Sequence, residues 1–284
     1  MKPFLALLAA LAVACDGSRL AIPTPSASTE PSSAPALPPR DLVVASFNVL
    51  YENAREGPGG DEVDPETIAA IAALRDADVI AFQETNPPFE RAIRAALRES
   101  HPNCAFHAPT RYSPGGLGFC VRSALRIEEE RVIDSPVTWF PAQRATLGWG
   151  ATRLELLNVH LRPAIGAREA WWQANASTIA DRDTEMRAYL AELDKGAPTL
   201  IVGDFNDPNH GGVVSTLDRA GYASALGTAH VDTPTWRWAG EPPLEVQLDH
   251  VVIQPSTFDV LRGEVRHIGR SDHFPIVAWL RERR

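Results

Sequence analysis

Thr199-Leu200-Ile201-Val202-Gly203-Asp204-Phe205-Asn206-Asp207 is the stretch whose reading decides the fold. Its apolar and β-branched start predicts a buried strand, which Gly203 brings to an end. Alternation along an extended backbone points Asp204 and Asn206 the same way, out of the strand mouth. A short polar pair in that position has to be hydrogen-bonded or bound to something charged. Taken alone, the same residues also spell a turn.

The chain repeats the arrangement, and repetition favours a site over a turn. Asp41-Leu42-Val43-Val44-Ala45-Ser46-Phe47-Asn48 reads as a strand ending in Asn48, and Asp78-Val79-Ile80-Ala81-Phe82-Gln83-Glu84 as one ending in Glu84. Leu154-Glu155-Leu156-Leu157-Asn158-Val159-His160 ends in His160, Asp249 opens the apolar run after Leu248, and Ser271-Asp272-His273 precedes the strand from Pro275 to Trp279. Carboxylate and carbonyl oxygens suit a hard divalent cation, and imidazoles protonate or stabilise phosphoryl oxygens. Strand ends with this inventory are what phosphate cleavage at a metal site requires.

In this order the blocks resemble the endonuclease/exonuclease/phosphatase superfamily, over roughly residues 41 to 282. Gly203-Asp204-Phe205-Asn206 together with Ser271-Asp272-His273 carries most of the likeness. The resemblance implies an α/β (α+β) four-layer sandwich, with two packed mixed β-sheets and helices on the outer faces. It also implies a Mg²⁺ site (or Mn²⁺/Ca²⁺) with Glu84 as principal ligand and Asn48 supporting the cation or the phosphate. Val49-Leu50-Tyr51 after Asn48 lacks the acidic residue usual in abasic-site endonucleases, which favours a single metal. His160 and His273 become imidazoles on the phosphoryl group, with Asp272 orienting its neighbour His273. Asp249 plays that part toward His160 or contributes to the metal. Asp204 positions or deprotonates the attacking water, and Asn206 bonds a phosphate oxygen. Arg162 is a cationic substrate contact or an ordinary surface arginine. Trp236, in Thr235-Trp236-Arg237-Trp238, is a stacking rim or sheet packing, and Trp171-Trp172 carries the same ambiguity. His101, His107, His210, His230, His250 and His267 read as structural.

The chain has 284 residues, enough for one large α/β domain, and a formal net charge of −9, which supplies no basic field to gather nucleic acid. Met1-Lys2 followed by the apolar run from Pro3 to Ala14 reads as a secretory signal. Ala12-Val13-Ala14-Cys15 looks like a bacterial lipobox with Ala12 where Leu is usual, so residues 1–15 are expected to be a lipoprotein signal with Cys15 acylated; the alternative is ordinary signal cleavage nearby. Residues 16–40, rich in Pro, Ser, Ala and Thr, read as a tether reaching about 75 Å if fully extended. Residues 41–284 form the catalytic domain, expected to be monomeric and held at the cell envelope, outside the cytoplasm. Cys104 and Cys120 fall on two candidate strands of one hairpin. Export permits a disulfide between them, and a free buried pair is the other reading.

Helices are expected from Asp64 to about Arg75, with Asp64 as N-cap and Pro65 in the first turn, and from Pro88 to Ser100. A third, from about Ala167 to Asp194, carries a candidate break at Asp181-Arg182-Asp183. The functional expectation is a divalent-metal phosphoesterase acting on a phosphate ester, with nucleic acid, phospholipid, isoprenoid or sugar phosphate all left open. An extracellular DNA/RNA nuclease is one alternative. A catalytically silent binding module is another, and it predicts losses among Glu84, Asp204, Asp272 and His273 that the sequence does not show.

Overall fold

A computed structural model describes residues 40–164, 171–238 and 243–283. The leader, Cys15, the tether up to residue 39, the expected start of the third helix and the side chains of Trp171 and Trp172 lie outside the described residues.

Two six-stranded mixed sheets dominate. The first runs Phe258–Val265, Ile276–Glu282, Asp41–Asn48, Val79–Gln83, Leu117–Val121, Asn103–His107. The second runs Ala223–Ser224, Asp249–Ile253, Thr199–Asp204, Thr152–His160, Ala142–Trp149, Leu125–Ile133. Each sheet contains one parallel pair at its centre. In the first, Asn48 lies opposite Gln83, and in the second His160 lies opposite Asp204. The strand ends that the sequence loads with polar residues are therefore paired within each sheet by register.

Side-chain alternation builds the layers. Val44, Val79 and Phe119 of the first sheet meet Leu147, Leu156 and Val202 of the second in the central core. On the opposite face of the first sheet, Phe47, Ile80 and Phe82 pack against Ile71, Phe89 and Ile93 of two helices. Leu157, Val159 and Ile201 of the second pack against Met186 and Tyr189. Helix, sheet, sheet, helix is the four-layer sandwich expected.

The helices Pro65–Ala72 and Pro87–Leu97 begin under Asp64 and Asn86, whose side chains accept the Thr67 and Phe89 amides. Both end a few residues short of expectation. The third helix, Trp171–Ala191, runs unbroken through Asp181-Arg182-Asp183. Arg182 does not break it and is fully buried, in an ion pair with Asp207 at 3.4 Å. Cys104 and Cys120 face each other in the hairpin register and are disulfide-bonded. Arg40, expected at the end of the tether, reaches Glu282 at 3.1 Å and lies over the Trp149 ring.

Candidate active site

Asn48, Glu84, His160, Asp204, Asn206, Asp249 and His273 converge where the two central parallel pairs end. Asn48 forms the bridge between the sheets. Its amide donates to Glu84 Oε1 and to Asp204 Oδ2, both at 3.1 Å, while its carbonyl accepts the Leu50 amide at 3.1 Å. Asn48 thus clamps two carboxylates as a donor, and its oxygen is engaged by the backbone. Of the two expected metal ligands, Glu84 is the one that presents a carboxylate, also accepting the Tyr51 amide at 3.3 Å.

Backbone geometry aims these groups. Glu84 and Asn206 sit at φ 59° and 50°, a left-handed conformation that non-glycine residues enter reluctantly and that clusters at functional sites. Gly203 sits at φ 137°, where an added Cβ would lie 2.0 Å from the Val159 carbonyl oxygen; only glycine lets the two parallel strands run together up to His160 and Asp204.

Asp204 is the hub. Its Oδ1 accepts the Asn206 amide at 2.8 Å, and its Oδ2 lies 3.6 Å from the Nε2 atoms of both His160 and His273. Burial, reinforced by the neighbouring Asp249 charge, pushes its carboxyl up to about 7 against the opposing pull of His273. Burial likewise raises Glu84. The two imidazoles differ. His160 is kept below its usual range by burial, and its Nδ1 lies 3.1 Å from the Pro114 carbonyl. For His273 burial works against the charge, but Asp249 and Asp204 beside it outweigh burial and hold it well above the ordinary range.

Two expected pairings are corrected. The carboxylate that orients His273 is Asp249, with its Oδ2 2.8 Å from Nδ1, and not the adjacent Asp272. Asp272 instead accepts the Trp236 indole N–H at 2.9 Å. The two residues take different partners, so adjacency in Ser271-Asp272-His273 does not bring Asp272 to the His273 imidazole. Asp249 is accordingly not the partner of His160. Trp236 is half-buried, its ring 6.5 Å from that of His273, and forms a wall of the site. Asn206 spends one amide hydrogen on the Leu161 carbonyl at 3.0 Å, tying two strand ends together. The Arg162 guanidinium pairs with Asp181. His250 and His101 are buried against the carbonyls of Asp207 and Ala77, in the structural roles expected.

Several contributors are not evident from sequence. Gln83 and Asn158 bond across the sheets at 2.8 Å beneath the site, and Phe140 packs on the His160 ring at 4.8 Å. For the first two the only signal is a polar residue in an inward position of an apolar strand, and for Phe140 there is none.

The donor set fits a divalent cation. Glu84 and Asp204 are raised by burial more than the neighbouring histidines lower them, and among the described residues no arginine or lysine bonds either one. Asp249 Oδ1 and Asp272 Oδ1 are buried without a hydrogen-bond partner. Asp204, Asp249 and His273 also bring three ligating atoms within 4.8 Å of one another. There His273 Nδ1 and Asp249 Oδ2 are engaged with each other, which leaves Asp249 Oδ1 without a partner.

A four-layer sandwich with carboxylates and imidazoles gathered at the carboxyl ends of its central strands defines a metal-dependent phosphoric ester hydrolase. The Endonuclease/Exonuclease/phosphatase family model matches residues 45–273, and the chain belongs to that family. Solved structures share the fold. They include an endonuclease/exonuclease/phosphatase from Beutenbergia cavernae (TM-score 0.64, 18% identity, covering 86% of this chain and 72% of that one). A conserved protein from Enterococcus faecalis whose function is unknown aligns at TM-score 0.63 and 17% identity, covering 85% of this chain and 100% of its own. TDP2 from D. rerio, complexed with a single-strand DNA product, aligns at TM-score 0.62 and 17% identity over 84% of this chain and 98% of its own. No curated protein matches the sequence.

Proposed function

We propose that this enzyme hydrolyses a phosphodiester with Mg²⁺, from a lipid-anchored position outside the cytoplasm. One observation carries the chemistry: two imidazole Nε2 atoms, His160 and His273, lie 3.6 Å from one oxygen of Asp204. They are poised differently. Asp204, with its carboxyl near neutrality, accepts a proton from the attacking water. His273, kept charged by Asp249, donates to a phosphoryl or leaving oxygen. His160, kept neutral, orients its Nε2 through the contact of Nδ1 with Pro114. Glu84 would hold a divalent cation, which would supply charge neutralisation at the phosphoryl oxygens. Asn206 has one amide hydrogen remaining for the same oxygens.

A diester is favoured over a monoester by charge. Four carboxylates, Glu84, Asp204, Asp249 and Asp272, surround the site, and a diester brings one negative charge where a monoester dianion brings two. Purified full-length protein is expected to hydrolyse bis-p-nitrophenyl phosphate with Mg²⁺, to stop on chelation and to recover on Mg²⁺ addition. Its turnover of p-nitrophenyl phosphate should be at least about tenfold slower. Chelator-resistant turnover, or a reversed preference, overturns the reading. Mn²⁺ and Ca²⁺ run alongside to test the metal assignment.

The lipobox-like Ala12-Val13-Ala14-Cys15 and the Pro/Ser segment after it support the anchor. Intact-mass measurement of protein from a membrane fraction should find acylated Cys15 as the first residue. An unmodified terminus downstream of Cys15 would rule the anchor out.

A further inference from the structure

We infer that Tyr112 and Trp139 form a stacking platform for a planar ring carried on the substrate phosphate, a role that rests on the hydrolase reading above. The two side chains are among the most exposed large hydrophobic groups of the described residues, at 40% and 61%. They are contiguous with the catalytic centre. The Trp139 and Tyr112 rings lie 5.9 Å apart, tilted by 37°, and Tyr112 meets Phe140 edge-on at 5.6 Å. Phe140 in turn packs on His160. An aromatic track thus leads from solvent to a reacting imidazole within a few ring spacings.

Buried side chains hold the platform still. Glu185, fully buried on the third helix, accepts hydrogen bonds from Ser135 and Thr138 in the loop that carries Trp139, and from the Arg162 amide. Tyr189 donates to the Phe140 carbonyl at 2.7 Å. Tyr112 is fixed from the other side, since the turn after it supplies the Pro114 carbonyl to His160. Exposed indole on a mobile loop would signify little. Exposed indole on a loop tied down by a buried carboxylate, beside the reacting groups, is preorganised for a partner. A planar ring can stack on such side chains, since its π-face requires no particular heteroatom pattern.

The test is equilibrium binding, which does not depend on turnover. Full-length protein with Mg²⁺ is titrated calorimetrically with phenyl phosphate, thymidine 5′-monophosphate, hexyl phosphate and methyl phosphate. Phenyl phosphate and the nucleotide are expected to bind at least tenfold more tightly than methyl phosphate, about 1.4 kcal/mol at 25 °C. Hexyl phosphate should fall near methyl phosphate. Trp139→Ala and Tyr112→Ala should each erase most of the ring preference and leave methyl phosphate affinity unchanged. A preference shown by the nucleotide and not by phenyl phosphate would locate the recognition elsewhere and overturn the platform. So would hexyl phosphate binding as tightly as phenyl phosphate, which would mark an acyl-chain or lipid surface, and so would a ring preference that survives both variants. If the ring preference holds and vanishes with Trp139→Ala while no diester is hydrolysed, the platform stands and the hydrolase assignment falls. If diester is hydrolysed without any ring preference, the hydrolase assignment stands and the platform falls.

Discussion

His273→Ala lowers kcat/KM by about 10³-fold, and adding Asp249→Asn to it costs less than about threefold more. Asp249→Asn alone loses nearly as much as His273→Ala. The expectation follows from geometry: Asp249 Oδ2 meets His273 Nδ1 at 2.8 Å, with both side chains buried. A carboxylate whose work is to orient and charge an imidazole has little left to do once the imidazole is gone. Asp272→Ala, which releases the Trp236 indole and not His273, should instead multiply with His273→Ala. Steady-state kinetics on these single and double variants, with circular dichroism to confirm folding, separates the cases. If Asp249→Asn and His273→Ala multiply fully while Asp272→Ala does not, His273 takes its orientation from Asp272 and not from Asp249.

Glu84→Gln is the second large effect. The substitution keeps the side chain's size and removes the charge, while its single amide oxygen can accept from Asn48 or from the Tyr51 amide but not from both. We expect kcat/KM to fall at least about 100-fold, roughly 2.7 kcal/mol of transition-state stabilisation. The Mg²⁺ concentration for half-maximal activity should rise by at least about tenfold. Turnover within about tenfold of the parent at unchanged Mg²⁺ demand would move the metal to the Asp204, Asp249 and His273 group.

What is legible in the sequence is what residue type and local period encode. Apolar runs such as Val43-Val44-Ala45 and Leu156-Leu157 mark buried strands, and the polar residues that end those strands announce the site. Asp64 announces the first helix by its capping chemistry, whereas the Asn86 cap of the second is seen only in the structure. Illegible is whatever depends on sheet register. Asp249 reaches the site because its strand runs antiparallel to Thr199–Asp204, setting Asp249 opposite Asp204. Nothing in Leu248-Asp249-His250 says that its partner lies 24 residues on. Asp272 misleads because contact in sequence is not contact in space. Asp181-Arg182-Asp183 misleads for the converse reason. The charged triplet reads as a break in the helix, whereas Arg182 spends its guanidinium on Asp207, Thr178, Asn175 and the Arg162 carbonyl. Pro114 contributes through a backbone oxygen, which every residue possesses and no composition reveals.

Asn48 and Glu84 belong to one slab of the sandwich, His160, Asp204 and Asp249 to the other. The seam between the slabs is oil along most of its length and like-charged acid at one end. Apolar contact there presses the halves together while carboxylate repulsion pries at the rim, with the Asn48 carboxamide stitched across it above the Gln83–Asn158 pair. The enzyme resembles a hinge clasped against a spring. Burying those carboxylates costs stability that the rest of the interior must outweigh, so this protein works at a place where its own packing is opposed.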